Sequence, residues 1–280
     1  MSRNYNWAIP IMRAGYAGRA ITYTAIAGLS LLAIWRGGQA QGTGGTLRDL
    51  AAQTWGVVVL CLIAVGLLAY GIWRGIDAAE DLEEYGTDAK GLISRAGMIV
   101  TGLIHAAIGA FALSLVLGRG SGGGEDGGGG GAIAQGVGAI LEWPGGRFLV
   151  GFAALCTLGA GVYYVVKGAK STYRKHLQAN PFTRNADTAL KAGVISNGII
   201  ILIIGGFLGA AALSGSEAEA GGMQQAFEWL RSQPFGRILV VAICVGLLAF
   251  AFFCAVNAAY RIVPKASDPD IESLGRALRA

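Results

Sequence analysis

The stretch LAAQTWGVVVLCLIAVGLLAYGIW, residues 50–73, carries no charged side chain and decides the fold class. A helix that crosses the hydrocarbon core of a bilayer needs about 20 apolar residues, so this stretch is long enough to span it. A transmembrane β-barrel is excluded, because alternating strands do not give uniformly apolar runs of this length. Five further uncharged runs lie at residues 20–35, 96–118, 148–166, 192–216 and 238–260.

The first of these runs is short only because Arg19 interrupts it, and residues 14–35 together make a segment of 22 residues. We therefore predict an all-α membrane protein with six transmembrane helices. The composition agrees with this, since 54% of the residues are hydrophobic and 14% are charged, against about 25% charged residues in soluble domains.

The net charge of +5 does not indicate a nucleic-acid partner, because the cations lie beside the predicted spans, where they act as topology signals. With six spans, both termini lie on the same side of the membrane, and sixteen of the 22 lysines and arginines lie on that side. The positive-inside rule then predicts that both termini are cytoplasmic. The cysteines, Cys61, Cys156, Cys244 and Cys254, lie within predicted spans and form no CxxC pair, so they favour neither disulfides nor a metal site.

The chain contains three copies of one two-helix unit. Trp55-Gly56, Gly145-Gly146 and Phe235-Gly236 recur every 90 residues, and VGLLAY at 65–70 matches VGLLAF at 245–250. The first helix of each pair opens with Arg13-Ala14-Gly15, Arg95-Ala96-Gly97 or Lys191-Ala192-Gly193. The predicted units are residues 1–85 with helices at about 14–35 and 54–74, residues 86–178 with helices at about 96–117 and 147–167, residues 179–263 with helices at about 192–213 and 237–260, and a cytoplasmic tail at 264–280.

A short amphipathic segment separates the two helices of each pair, and each carries or ends near a tryptophan. Tryptophan favours the membrane interface, so we expect these segments to lie on the periplasmic surface as short helices. They are residues 47–55, 133–143 and 223–230.

The repeated Arg/Lys-Ala-Gly opening, the QPFGR sequence at 233–237 and the VGLLAY-type core resemble a bacterial family of triple-repeat membrane proteins, domain of unknown function 1206. The resemblance runs from about Arg13 to Arg261. It implies three tandem two-helix units in the inner membrane and no particular activity. The position of Arg19 becomes Thr101 and Asn197 in the later copies.

An even number of spans in each repeat predicts that the repeats enter the membrane in the same direction, around an axis along the membrane normal. We therefore expect a pseudo-threefold bundle of six helices.

His105 is the sharpest candidate for a functional residue. It lies ten residues after Arg95, which places it about 15 Å along a helix and near the bilayer midplane. An ionisable residue inside the membrane favours a functional role. The alternative is a neutral imidazole that donates one hydrogen bond to a neighbouring helix, and the lack of a paired Asp or Glu argues against a proton relay.

A polar cluster in the cytoplasmic half is predicted from residues at equivalent or neighbouring positions of the repeats. Arg19 can extend back to the headgroups or pair with a lipid phosphate. The alternative is a cluster of satisfied interhelical hydrogen bonds. The predicted members of this polar cluster are Arg19, Tyr23, Thr101, His105 and Asn197.

Two charged segments follow the spans. The basic side chains Lys167, Lys170, Arg174 and Lys175 predict contact with anionic lipid headgroups. Asp77, Glu80, Asp81 and Glu84 share one helix face, which is typical of a solvated surface. Contact with a divalent cation or a basic partner is the alternative.

No catalytic or cofactor-binding motif is visible, so we predict neither an enzyme nor a cofactor. Two functions remain: a structural or accessory component of a membrane complex, and a conduit for an ion or small solute along the axis, gated at His105. Convergence of Arg19, Thr101 and Asn197 on one water-accessible cavity would favour the conduit. The predicted partners are the lipid bilayer and another membrane protein or complex.

Overall fold

The computed structural model describes residues 5–119, 129–267 and 271–278. Within these ranges six helices are long and apolar enough to cross a membrane. The predicted all-α, multi-pass fold with six transmembrane helices is confirmed. The six transmembrane helices are α1 (Ala8–Trp35), α3 (Gly56–Glu80), α4 (Ala89–Val116), α6 (Gly146–Ala169), α7 (Pro181–Ser214) and α9 (Gly236–Tyr260). Four shorter helices are α2 (Thr43–Ala51), α5 (Gly129–Leu141), α8 (Met223–Ser232) and α10 (Leu274–Ala277).

The first helix of each repeat starts several residues before its uncharged run, and side-chain caps support the early start in α4 and α7. At the start of α7, Asn180 Oδ1 accepts a hydrogen bond from the Thr183 backbone N–H at 2.8 Å, and Pro181 occupies the first turn. At the start of α4, Asp88 Oδ1 accepts from the Gly91 N–H at 2.9 Å. Charged residues in these first turns therefore belong to the helices.

The glycine that recurs every 90 residues begins the second helix of each repeat. A Cβ atom at Gly56 would collide with the carbonyl oxygen of Leu50, and Gly146 and Gly236 meet a preceding carbonyl in the same way. The chain turns so tightly there that only glycine fits. This explains why the motif recurs in all three repeats.

The segments between the paired helices form α2, α5 and α8 on the side of the bundle opposite the termini. These short helices contact one another. Their apolar faces point inward, since Leu47 and Leu50 of α2 and Phe227 of α8 are buried. They therefore form a layer that covers this side of the bundle.

The six transmembrane helices form an arc rather than a closed ring. Along the arc, each helix packs on the next in the order α4, α3, α1, α9, α7, α6. Within the described residues, α4 and α6, the two helices of the middle repeat, make almost no contact with each other. We call the gap between them the seam and define it by Gly97 and Val100 of α4 and Cys156 and Ala160 of α6.

Side-chain size explains the seam. In the first repeat Gly18 packs on Gly66, and in the third Ser196 packs on Gly246. The middle repeat has Val100 and Cys156 at these positions, and both are exposed. Small residues let transmembrane helices approach closely, so the larger pair keeps the middle helices apart.

A second set of equivalent positions shows the same difference. A Cβ atom on Gly15 would lie 2.6 Å from Tyr70 Cα, and Gly193 is packed equally tightly against Ala249 and Phe250. Gly97, the middle copy, has no atom within 4 Å of such a Cβ. The repeats are therefore equivalent in sequence position but not in packing.

On the side of the termini, which we call the terminal side, the segment after α9 packs across the bundle. The backbone N–H of Ile262 donates to the carbonyl oxygen of His176 at 2.9 Å, and that of Leu274 donates to Leu177 at 2.7 Å. Leu274 is fully buried. The described part of the predicted tail therefore belongs to the folded structure.

Candidate functional site

Arg19 of α1 points into the centre of the arc and is only 3% exposed. Its guanidinium lies over three aromatic rings, with centroids at 4.6 Å for Tyr70, 5.2 Å for Phe250 and 5.7 Å for Tyr23. We call these three rings the aromatic box. The Nη1 atom of Arg19 also donates a hydrogen bond to the Tyr70 hydroxyl at 2.9 Å. A desolvated cation gains about 2 kcal/mol from such a ring, so the box holds Arg19 inside the protein rather than at the headgroups.

The internal repeat explains why two helices contribute an aromatic ring to the box and why the equivalent helix of the middle repeat contributes none. Tyr70 and Phe250 are the last residues of VGLLAY and VGLLAF, so they occupy equivalent positions on α3 and α9. The equivalent position on α6 is Ala160, which is exposed at the seam. The ring of aromatic side chains around Arg19 is therefore open toward the middle repeat.

The hydrogen-bonding capacity of Arg19 is not fully used. Its Nε atom is buried and has no hydrogen-bond partner among the described residues. Within the same part of the chain, no carboxylate lies within salt-bridge distance of this guanidinium. An ionisable group inside a membrane normally pairs with another group or marks a functional site.

A network of ion pairs lies between Arg19 and the terminal side. Arg74 Nη1 donates to Asp77 at 2.9 Å, and its Nε donates to the Tyr70 hydroxyl at 3.0 Å. Arg261 Nε donates to Glu83 Oε1 at 2.9 Å. We call Arg74, Asp77, Glu83 and Arg261 the ion network. It connects the end of α3 to the end of α9, two segments far apart in sequence.

The charges in the ion network shift the titration of groups on the terminal side. Burial alone would raise the pKa of Glu83, but the Arg261 and Arg74 guanidiniums hold that pKa well below its usual range. Burial and the nearby positive charge of Arg261 together lower the pKa of His176 to about 4. Glu83 is therefore ionised and His176 neutral at physiological pH.

His105 of α4 lies beside the aromatic box. Its ring is 4.9 Å from the ring of Tyr70, and its exposed fraction is 9%. Its Nδ1 atom is 2.8 Å from the carbonyl oxygen of Thr101. A carbonyl only accepts hydrogen bonds, so Nδ1 carries the proton and donates to the same helix.

The predicted polar cluster is brought together only in part. Arg19 and Tyr23 are in contact, and His105 reaches them through Tyr70. Thr101 donates instead to Gly97 of its own helix at 2.7 Å. Asn197 is buried on α7, and within the described chain no hydrogen bond joins it to the other four predicted residues.

Sequence reasoning missed Tyr70, Phe250 and the ion network. The recurrence of an aromatic residue at positions 70 and 250 was a signal that could have identified the first two. No pattern in the sequence pairs Glu83 with Arg261, since 178 residues separate them. That pairing follows only from the position of the segment after α3 beside the end of α9.

The predicted lipid-binding cations do not form one surface. Lys167 is half-buried, with Nζ 5.5 Å from the Tyr163 ring and 5.8 Å from the Tyr164 ring. Arg174 Nε donates to Asp187 Oδ1 at 2.8 Å. Lys170 and Lys175 are exposed, and their contact with lipid headgroups stays a prediction.

The predicted acidic face of α3 is not a uniform solvated surface. Asp77 is fully buried in the ion network. Asp81 ends the helix in a left-handed conformation with φ of 52° and accepts hydrogen bonds from the backbone N–H groups of Tyr85 and Gly86. Among the described residues, no three His, Cys, Asp or Glu side chains are grouped to hold a metal ion.

Comparison with known proteins agrees with this architecture. The family described as Domain of Unknown Function (DUF1206) matches at residues 14–81, 96–171 and 192–261. An "Uncharacterized protein YxxB" from Bacillus subtilis (strain 168) is 25% identical over 260 residues, which cover 91% of this chain and 92% of that protein. No solved structure matches the chain. With three matches that follow its three repeats, the chain belongs to the DUF1206 family of membrane proteins.

Proposed function

We propose that this protein is a non-enzymatic structural or accessory component of a membrane complex. The observation that carries the proposal is the packed centre of the arc. Arg19 is 3% exposed, and Tyr70 and Phe250 on either side of it are fully buried. Side chains therefore occupy the place where a conduit along the pseudo-threefold axis would need water.

The polar residues that would line such a conduit also point in different directions. Thr101 hydrogen-bonds to its own helix, and Asn197 is buried on α7 without a hydrogen bond to Arg19 in the described structure. His105 uses Nδ1 on the carbonyl of Thr101. This arrangement supports packing over transport.

The charged side chains inside the bundle support a non-enzymatic role. Arg74 is paired with Asp77, and Arg261 is paired with Glu83, so these groups join the segment after α3 to the end of α9. A catalytic base or acid needs a free position next to a substrate. The ion network instead uses its charges within the protein.

The surface of the middle repeat supports contact with another membrane protein. In α6 only 17% of the apolar segment is buried inside the protein, against 44% in α1 and α3. Phe148 and Phe152 are 85% and 68% exposed on this helix. We place the protein in the inner membrane with the terminal side in the cytoplasm, as the excess of cations on that side supports.

The test is cysteine accessibility in a variant that lacks the four native cysteines. Single cysteines at positions 101, 105 and 197 are exposed to a membrane-impermeant thiol reagent in inverted vesicles. We expect protection at 105 and 197. Labelling at all three positions would indicate a shared aqueous path and favour the conduit.

A cysteine at Lys170 is the matched control, since that side chain is exposed on the terminal side. It should react in inverted vesicles and stay unlabelled in intact cells. The opposite result would reverse the proposed orientation.

A second experiment tests the accessory role. A photo-cross-linking residue at Phe152 should give a defined protein adduct in cells, whereas the same residue at the buried Ala154 should give none. Adducts with lipid alone at Phe152 would argue against a complex at this surface.

A further inference from the structure

The interior of the arc carries more positive than negative charge. The ion network is balanced, with Arg74 and Arg261 facing Asp77 and Glu83. Arg19 and Lys167 add two basic side chains, and among the described residues neither has a carboxylate within salt-bridge distance. An uncompensated charge in a low-dielectric interior is costly, so this pair calls for an anion from outside the chain.

Arg19 and Lys167 both border the buried hydrophobic cluster that contains Tyr70. Arg19 lies on α1, within the aromatic box. Lys167 lies at the end of α6, with Nζ 5.8 Å from the ring of Tyr164. Tyr164 in turn packs against the buried cluster that contains Tyr70.

The buried guanidinium also has a free donor. Nη1 of Arg19 is used on Tyr70, whereas Nε is buried without a partner in the described structure. Guanidinium groups present their N–H donors as a planar fork that matches phosphate and carboxylate oxygens. An anion that contacts the guanidinium would satisfy both the charge and the unused donor, once the side chains that cover Arg19 move to admit it.

The seam is the side on which the aromatic box lacks its third ring. Two of the three equivalent positions around Arg19 carry the rings of Tyr70 and Phe250, and the third is Ala160. Gly97 on the facing helix has no atom within 4 Å of a Cβ position. Val100 and Cys156 line the same gap and are exposed.

We propose that the seam binds an anionic phospholipid, with its phosphate between Arg19 and Lys167 and an acyl chain between α4 and α6. The apolar walls of the seam select an amphiphile over a water-borne anion. Arg19 lies six residues beyond Arg13, or about 9 Å along the helix. The phosphate is therefore drawn inward from the terminal-side headgroup layer. This site goes beyond the accessory role and does not depend on it.

The experiment is native mass spectrometry of the full chain after reconstitution into nanodiscs of phosphatidylglycerol or phosphatidylcholine and release into a mild detergent. The wild-type protein should retain phosphatidylglycerol and little phosphatidylcholine. Arg19→Gln should weaken phosphatidylglycerol binding about tenfold, as expected when one charge-assisted contact is lost. Arg184→Gln, which removes an exposed cation at the start of α7, is the matched control and should bind like the wild type.

A second variant keeps the test decisive if Arg19→Gln does not fold. Ala160→Phe restores the aromatic residue of the other two repeats and fills the seam, while Arg19 stays in place. We expect a folded protein that no longer retains phosphatidylglycerol. Retention equal to the wild type in folded Arg19→Gln or in Ala160→Phe would overturn the proposal.

A third arm distinguishes the lipid from a soluble anion. Inorganic phosphate is added to the wild-type protein in phosphatidylcholine nanodiscs, and the melting temperature is compared with that in phosphatidylglycerol. We expect a higher melting temperature in phosphatidylglycerol nanodiscs and no increase when inorganic phosphate is added in phosphatidylcholine nanodiscs. Equal stabilisation by inorganic phosphate would overturn it in favour of a water-borne anion.

Discussion

The Tyr70 side chain meets Arg19 in two ways, since its ring centroid lies 4.6 Å from the guanidinium and its hydroxyl accepts a hydrogen bond from Nη1 at 2.9 Å. The same hydroxyl accepts from Arg74 Nε at 3.0 Å. One tyrosine therefore joins the aromatic box to the ion network. The two arginines are held apart at a fixed distance by a single neutral group.

Tyr70→Phe should destabilise the protein by about 2–4 kcal/mol, because two charged donors lose their acceptor inside the bundle while the ring remains. Unfolding in SDS, followed by circular dichroism, measures the change. Tyr260→Phe is the control, since its hydroxyl makes no hydrogen bond in the described structure. A Tyr70→Phe protein as stable as this control would show that the hydroxyl does not hold the arginines.

Alanine substitutions at the three equivalent glycines should change the stability of the protein differently in the middle repeat and in the other two. Gly15→Ala places a Cβ atom 2.6 Å from Tyr70 Cα, and Gly193→Ala meets the backbone of Ala249. Both should destabilise the protein by about 1–3 kcal/mol through overpacking. Gly97→Ala meets nothing within 4 Å and should be neutral, or up to about 1 kcal/mol more stable from helix propensity.

The comparison is made by SDS unfolding of the three variants side by side. The sign of the effect at Gly97 is the informative result. A loss of stability there as large as at Gly15 would mean that α4 and α6 are in contact and that the seam is closed.

Hydropathy and the internal repeat were sufficient to predict the spans and the short helices between them. The shared Arg/Lys-Ala-Gly opening was sufficient to predict the equivalence of Gly15, Gly97 and Gly193. They could not predict that the middle pair separates, because this depends on whether Val100 and Cys156 can pack as Gly18 and Gly66 do. They also could not orient side chains, since every face of these helices is apolar. The burial of Arg19 in an aromatic box therefore required the structure.

Breaking the pair between Glu83 and Arg261 should have a large effect, since both side chains are at most 5% exposed. Glu83→Gln leaves a buried guanidinium without its counter-charge, which costs about 3–5 kcal/mol. SDS unfolding measures the loss. Glu84→Gln is the neighbouring control and should change stability by less than about 0.5 kcal/mol.

A double-mutant cycle with Arg261→Gln distinguishes pairing from simple burial. The double variant should be more stable than the sum of the two single losses predicts, because neither charge is then left alone. Additive losses would contradict a direct interaction between these two side chains.

The stability of the protein should depend on pH through His176. Its pKa is lowered from 6.5 to about 4 in the folded state, so between these values the unfolded chain binds a proton that the folded protein does not. Stability must then fall as the pH is lowered from about 6.5 toward 4. The pKa of Glu83, held well below its usual range, adds stability above pH 4.5 that is lost only at still lower pH. When unfolding is measured at pH 7.5, 6.0 and 5.0, the wild type should therefore lose more stability, or gain less, than His176→Gln as the pH falls. An equal pH dependence in both proteins would assign it to other groups.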